Sequence, residues 1–394
     1  MADLGIVGLV APRYAPAIGG VERAAEELAH GLVRRGIPVE VITTDPTGRL
    51  PTVEKVDGIP VRRFRTIAND GVFFLSPGLA RWLLANAARY AVIHGHSYHT
   101  PLSLAAAIAA RRRHVPFVLT PFYHGTGHTP LRAALHRPYR PLGARVVHAA
   151  RRVICVSGSE RALIERDFGP AVPISVIHCG VDIDQLLAVP RRRDGPDTLV
   201  LSVGRFEPYK RLDLLVTSVP LLPREFRVVV VGDGPARTQL VELVRTLGVE
   251  DRMTFTGALP QDQLLERFRA ADVFVSLSTA ESFGLTLLEG AVGGAGVVAS
   301  DLAAHREVAG LLPTGTVRLI PINSSPTEVA AAIVAAAADR TQLDASGGGD
   351  AARWHVPSWD AMAGQVLDVY RAVMRDAPVT PTALPKALPQ EPGE

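Results

Sequence analysis

The chain has 394 residues, 47% of them hydrophobic and 21% charged, with a mean hydropathy of +0.17 and a net charge of +3. At roughly 100 to 200 residues per domain, that length favours two cores over one, and the composition is that of a globular chain and not a disordered one. Uncharged apolar stretches such as 102–110 and 330–338 fall short of the ~20 residues that a membrane span needs, so no spanning segment is expected.

Residues 5–10 follow Asp3 and run straight into a folding pattern, without the basic-then-apolar layout of a signal peptide, so a cytoplasmic address is expected. Short β-branched runs at 5–10, 39–43, 92–94, 117–120, 153–156 and 175–177 alternate with helical periodicity and predict a parallel α/β unit. In the loop after the first run, Gly19 and Gly20 precede an apolar-periodic helix at 21–35. Glycines there let backbone N–H groups approach an anion, although the pattern is not GxGxxG and a plain tight turn reads equally well.

Charge is unevenly spread. Up to Asp184 there are 22 Lys plus Arg against 14 Asp plus Glu, leaving 20 against 25 in the remainder. No acidic residue occurs from Gly71 to Ser159, a stretch holding eleven arginines and eight of the twelve histidines, including Arg132, Arg137, Arg140, Arg145, Arg151 and Arg152. Such a face suits a phosphorylated acceptor or an anionic membrane surface, and reads equally as a solvated arginine-rich face. No nucleic-acid partner is expected. Cys155 lies in an apolar run and reads as core, and the cysteine spacing resembles neither a zinc site nor a disulfide framework. The triplet Asp182-Ile183-Asp184 has the DxD spelling of a metal-nucleotide site, but three residues are a weak signal; a structural role is the favoured reading and no metal is predicted.

The segment 190–196 has the proline and charge content of a linker, after which the rhythm restarts with strands expected at 198–203, 226–231, 253–256, 273–277 and 297–300. Arg205 and Lys210 follow the first of these, at the strand end where open α/β sheets bind ligands, and a guanidinium beside an ammonium suits a diphosphate. Glu281-Ser282-Phe283-Gly284-Leu285 follows another strand and leads into a helix that carries Glu289. A phosphate cradle of helix-start amides would then lie between two carboxylates able to accept from sugar and ribose hydroxyls. Expected boundaries are 1–187 for the first domain, 188–357 for the second, 358–375 for a C-terminal helix returning to the first, and 376–394 for a disordered Pro-rich tail.

Taken together, Pro16 to Glu22 with its Gly-Gly pair, Val203-Gly204-Arg205 with Lys210, Val231-Gly232-Asp233-Gly234-Pro235 and the Glu281 to Glu289 segment resemble the retaining GT-B glycosyltransferases of glycosyltransferase family 4. The resemblance spans nearly the whole chain and implies two Rossmann-like doubly wound domains facing each other across a cleft. It further implies a UDP- or GDP-sugar donor, a hydroxyl acceptor and a metal-independent transfer of a hexose or N-acetylhexosamine with retention, for glycolipid, polysaccharide or glycosylated-metabolite synthesis. By that resemblance Arg205 and Lys210 hold the diphosphate and Ser282, Phe283, Gly284 and Leu285 line the donor. Glu281 touches the sugar, Glu289 the ribose and Leu259 the base, while His124 after the strand at 117–120 stands near the donor sugar. Cys179, Gly296, Ala303, Ala304 and Arg306 depart from the family's usual Asn, Pro, Gly, Gly and Pro. A sugar-nucleotide epimerase, a hydrolase-like turnover or a silent nucleotide-sugar-binding subunit are other uses of the same fold.

Overall fold

The computed structural model describes residues 4–67, 74–125, 130–169, 172–191, 195–345, 354 and 356–375, without the side chains of 130–135, 137 and 341–345. The expected tail at 376–394, residues 192–194 of the expected linker and most of the arginine-bearing 131–137 segment's side chains lie outside them.

The first unit is built on an eight-stranded sheet. Its strands are β1 (Val7–Val10), β2 (Val39–Asp45), β3 (Val53–Val56), β4 (Ile59–Arg65), β5 (Val92–His96), β6 (Phe117–Thr120), β7 (Arg152–Cys155) and β8 (Ile174–Val176), in spatial order β3-β4-β2-β1-β5-β6-β7-β8. Every pairing is parallel except β3 with β4, a hairpin turning at Asp57 and Gly58, both at positive φ. β1, β2 and β5 are buried along their whole length, as parallel strands covered on both faces must be.

The second unit repeats the plan with β9 (Thr198–Val203), β10 (Phe226–Val231), β11 (Met253–Gly257), β12 (Val273–Ser276), β13 (Gly296–Ser300) and β14 (Val317–Ile320). Its order is β11-β10-β9-β12-β13-β14, and all of its pairings are parallel. In each sheet the chain reverses its direction of travel once: between β1 and β5, and between β9 and β12. At such a switch point adjacent loops leave the sheet on opposite faces and open a crevice at the strand ends. The β3–β4 hairpin and β14 are additions to the strands expected from the sequence.

The helix Trp359–Arg375 returns to the first unit and packs against the helix Gly20–Arg34. A Cβ on Gly31 would stand 2.4 Å from that of Ala363, so glycine allows the two helices to meet. The buried Tyr370 hydroxyl lies 2.6 Å from His94 Nδ1, whose other ring nitrogen lies 2.8 Å from Thr120 Oγ1. At the linking turn, a Cβ on Gly180 would come within 2.1 Å of the backbone of Ser358 and Trp359. One buried cluster runs from Val7 and Leu28 through Phe283 and Leu287 to Trp359, joining both units and the last helix.

Two departures from the family pattern have a structural explanation, one steric and one in the cost of burying a polar group. Gly296 opens β13 under the helix Pro326–Ala345, and a Cβ there would lie 2.4 Å from the Ala336 carbonyl oxygen. Cys179 is buried against the shared core, which an Asn side chain would enter only with its amide paired.

Candidate active site

Three strand ends of the second sheet carry sequence-predicted donor residues, Arg205 and Lys210 after β9, Leu259 after β11 and Glu281 after β12, and the Gly232–Gly234 turn of the family-like motif follows β10 between them. The β9 and β10 ends touch backbone to backbone. A Cβ on Gly232 would sit 2.0 Å from the Gly204 oxygen and one on Gly234 2.7 Å from Phe206 N, while Phe206 N donates to Asp233 O at 2.9 Å. The loop bearing Arg205 is thereby fixed by glycines that have no room for a side chain.

Across the β9–β12 switch point, Thr279 N donates to Tyr209 O at 2.8 Å and Lys210 Nζ donates to Glu281 Oε1 at 2.6 Å. Ser278 Oγ donates to the same carboxylate oxygen at 2.8 Å. Burial alone would push Glu281 up and Lys210 down, but their mutual attraction outweighs it and holds both groups charged, the carboxylate lowered and the ammonium raised. Arg205 is half-exposed at the mouth, its guanidinium 3.5 Å from Glu207.

Gly284 caps the helix Leu285–Val292 with φ 105°, a left-handed value, and a Cβ there would lie 3.1 Å from His305 Cδ2. His305 is fully buried, with Nδ1 2.7 Å from the Ser300 carbonyl. A carbonyl only accepts, so Nδ1 carries the proton and the ring stands as a fixed wall behind the glycine. Leu287 N and Leu288 N donate to the Gly284 carbonyl at 3.1 and 3.2 Å, which leaves the N–H groups of Leu285 and Thr286 at the helix start without a partner in the helix itself. Glu289 lies one turn further along, half-buried; burial pushes its carboxyl up to about 7 against the opposing pull of Arg23. Arg23 belongs to the helix Gly20–Arg34, so the two units are electrostatically coupled at this point. Leu259 is half-buried against the shared core.

On the first-unit side, Gly19 is the N-cap of the helix Gly20–Arg34 in an extended conformation. The Glu22 carboxylate folds back beneath it, 2.3 Å from where a Cβ would be, and is held by Arg13 at 2.7 Å. That carboxylate already occupies the positive end of the helix, and the open space lies over Gly20, which has nothing within 4 Å of an added Cβ. His124, after β6, stacks on His99 with ring centres 4.7 Å apart. Its loop is tied down by Glu160, a buried carboxylate that accepts the N–H groups of Tyr123 and Val156 and is pushed up to about 8 by burial. Asp182 accepts the Gln185 N–H at 2.9 Å and caps the helix Ile183–Ala188, the structural role favoured for the DxD triplet.

Several contacts between the units were not anticipated. Ser157 Oγ donates to Ser282 O at 2.6 Å, the His178 ring lies over Phe283 at 5.4 Å and 20°, and Glu307 accepts from Gly158 N, Ser159 N and His178 Nε2. Only the Ser157 N-cap, whose Oγ accepts Glu160 N at 3.0 Å, left a signal in the sequence, as a serine ahead of a helical pattern.

Two doubly wound parallel units, with their switch points and helix starts turned to a common cleft, define the GT-B class of glycosyltransferase. The chain belongs to glycosyltransferase family 4: residues 18–185 match the Glycosyltransferase Family 4 domain and 187–346 the Glycosyl transferases group 1 domain. It is 31% identical to a D-inositol 3-phosphate glycosyltransferase of Kineococcus radiotolerans, over 91% of each chain. A protein of the same description from Frankia alni is 32% identical over 92% of this chain and 96% of its own. Among solved structures, sucrose-phosphate synthase from Thermosynechococcus elongatus superposes with a TM-score of 0.80 at 22% identity, covering 94% of this chain and 100% of that one. Anabaena HepE in complex with UDP and glucose gives 0.71 at 19% identity, covering 93% and 99%.

Proposed function

We propose that the protein transfers a hexose or N-acetylhexosamine from a UDP-sugar to a hydroxyl of a phosphorylated acceptor, with retention of configuration and without a metal. The observation that carries this reading is the Lys210–Glu281 pair, 2.6 Å long, facing Arg205 and the start of the 285–292 helix across a sheet switch point. Arg205, Lys210 and the helix amides are positioned to take the charge that grows on a departing diphosphate, which is where electrostatic catalysis acts. Glu281 then offers its second oxygen to a sugar hydroxyl, Glu289 accepts from the ribose, and Leu259 lines the base. The bond from the anomeric carbon to the diphosphate breaks as the bond to the acceptor oxygen forms on the same face, and the acceptor's proton passes to a phosphate oxygen of the departing nucleotide.

The choice of donor base is supported by HepE, whose structure holds UDP, and the acceptor class by the relatives described as D-inositol 3-phosphate glycosyltransferases. The acid-free stretch of the first unit is consistent with an anionic acceptor. His124 and the open face at Gly20 are assigned to the acceptor side of the donor sugar.

Thermal stabilisation across UDP, GDP, ADP and their sugar conjugates, with and without EDTA, tests the reading, because selective binding raises apparent stability. Selective stabilisation by UDP-sugars that survives EDTA is the expected result. Selective stabilisation by GDP-sugars reassigns the donor, EDTA sensitivity removes the metal-free mechanism, and binding without turnover over a broad panel of phosphorylated acceptors favours a silent subunit.

A further inference from the structure

Glu307 stands on the helix Ala303–Gly310 of the second unit, yet among the described residues the hydrogen-bond partners of its carboxylate, Gly158, Ser159 and His178, belong to the first. One oxygen accepts Gly158 N at 2.7 Å and His178 Nε2 at 2.9 Å, and the other accepts Ser159 N at 3.1 Å. Gly158 and Ser159 open the eleven-residue helix Gly158–Phe168, whose first N–H groups lack partners of their own and whose dipole favours a negative charge there. A carboxylate from one domain therefore caps a helix of the other.

The same first-unit residues also hold the donor loop. Ser157 caps the 158–168 helix and donates to Ser282 O at 2.6 Å, and His178, while bonded to Glu307, lies flat over Phe283 with ring centres 5.4 Å apart. Ser282 and Phe283 separate Glu281 from Gly284, so the clasp and the loop share two connections within a single turn of chain. Hinge opening would break three charge-assisted hydrogen bonds at Glu307 and release both grips on the loop together.

We infer that Glu307, acting with His178, is a positioning residue for the transfer: it clasps the two domains and thereby holds the 281–285 donor loop in register with the first domain. The inference rests on the donor site proposed above. The glutamate touches no reacting atom and acts through Gly158, Ser159 and His178.

The test compares Glu307→Gln, Glu307→Ala and His178→Phe in the full chain; the last keeps a ring over Phe283 and removes the donor nitrogen. Hydrogen exchange without ligand is expected to quicken at 157–161 and at 281–287, with 198–203 unchanged. With UDP-glucose and a phosphorylated polyol, kcat is expected to fall about ten-fold or more, while UDP affinity changes less than about three-fold because the diphosphate contacts lie within the second domain. Faster exchange at 157–161 alone, or an unchanged kcat in folded variants, overturns the inference and leaves Glu307 as a helix cap. If Glu307→Gln does not fold, His178→Phe decides by the same two readings. If the wild-type protein transfers sugar from no nucleotide donor, the functional reading fails, and the exchange at 281–287 still decides the clasp.

Discussion

Lys210 Nζ and Glu281 Oε1 are 2.6 Å apart, with Ser278 Oγ on the same oxygen, so the ammonium assigned to the diphosphate is already engaged before a donor arrives. Arg205 differs, because its guanidinium is half-exposed and its nearest carboxylate, on Glu207, is 3.5 Å away. One cation is built into the floor of the site, and the other stands at its mouth.

That difference predicts two phenotypes for two substitutions of the same charge. Arg205→Ala is expected to lower kcat by orders of magnitude with Tm almost unchanged. Lys210→Ala is expected to lose activity and also about 2 kcal/mol of stability, because it strands a largely buried carboxylate. Thermal melts and single-turnover rates on both proteins check this, and a melting curve for Lys210→Ala that overlays the wild type would count against the buried pair. Near-normal turnover of either folded variant would remove its assignment to the diphosphate.

Gly284→Ala is expected to damage the site for two separable reasons. The position has φ 105°, which costs a residue with a side chain about 1–3 kcal/mol, and the new Cβ would meet His305 at 3.1 Å. His305 has no easy retreat, being fully buried with Nδ1 on the Ser300 carbonyl. Expected outcomes are a lowered Tm and roughly ten-fold weaker UDP binding as the helix-start amides are re-aimed. Adding His305→Ala should restore only the part owed to the contact. Wild-type affinity in Gly284→Ala would show that the amides are not part of the donor cradle.

The last helix docks through contacts that admit little change. Tyr370→Phe removes the bond to His94 Nδ1 and leaves that buried nitrogen unpaired, for a loss of about 1–3 kcal/mol. Gly31→Leu forces a side chain into the 2.4 Å gap before Ala363 and should push the helix away altogether. Limited proteolysis is the measurement: rapid cleavage ahead of Trp359 in Gly31→Leu, with the wild type resistant. Equal resistance in both would mean that the docking is not tight at Gly31.

Much of this architecture is legible from short continuous β-branched runs and strand-end motifs, because parallel strands buried on both faces leave a strong signal. The β3–β4 hairpin is harder to see because Glu54, Lys55, Arg62 and Arg63 break its apolar alternation, although Asp57-Gly58 is a hairpin turn in itself. Gly296 reads as a departure from pattern until the Ala336 carbonyl is seen where a side chain would go. The Glu307 contacts are beyond sequence reasoning for a plain reason: Glu307 and Gly158 are 149 positions apart and meet only through two separately folded units.

Glu289 ties donor binding to pH. Burial raises its carboxyl from 4.5 to about 7 in the folded protein, so between those values the folded state holds a proton that the unfolded chain has released. The stability this contributes is complete below about pH 4.5 and is lost as pH rises through 7. Donor binding should run the opposite way, since a carboxylate accepting from ribose hydroxyls must be ionised. If only the ionised form binds, affinity for UDP-glucose should rise about ten-fold from pH 6 to pH 8, with close to one proton released per donor bound at the lower pH. The sugar conjugate is the right probe because its diphosphate does not titrate in this range. Calorimetry in buffers of different ionisation enthalpy reads the released proton directly, and Glu289→Gln should bind weakly with no such slope. A wild-type affinity that is flat across this interval would mean that Glu289 is not the group facing the ribose.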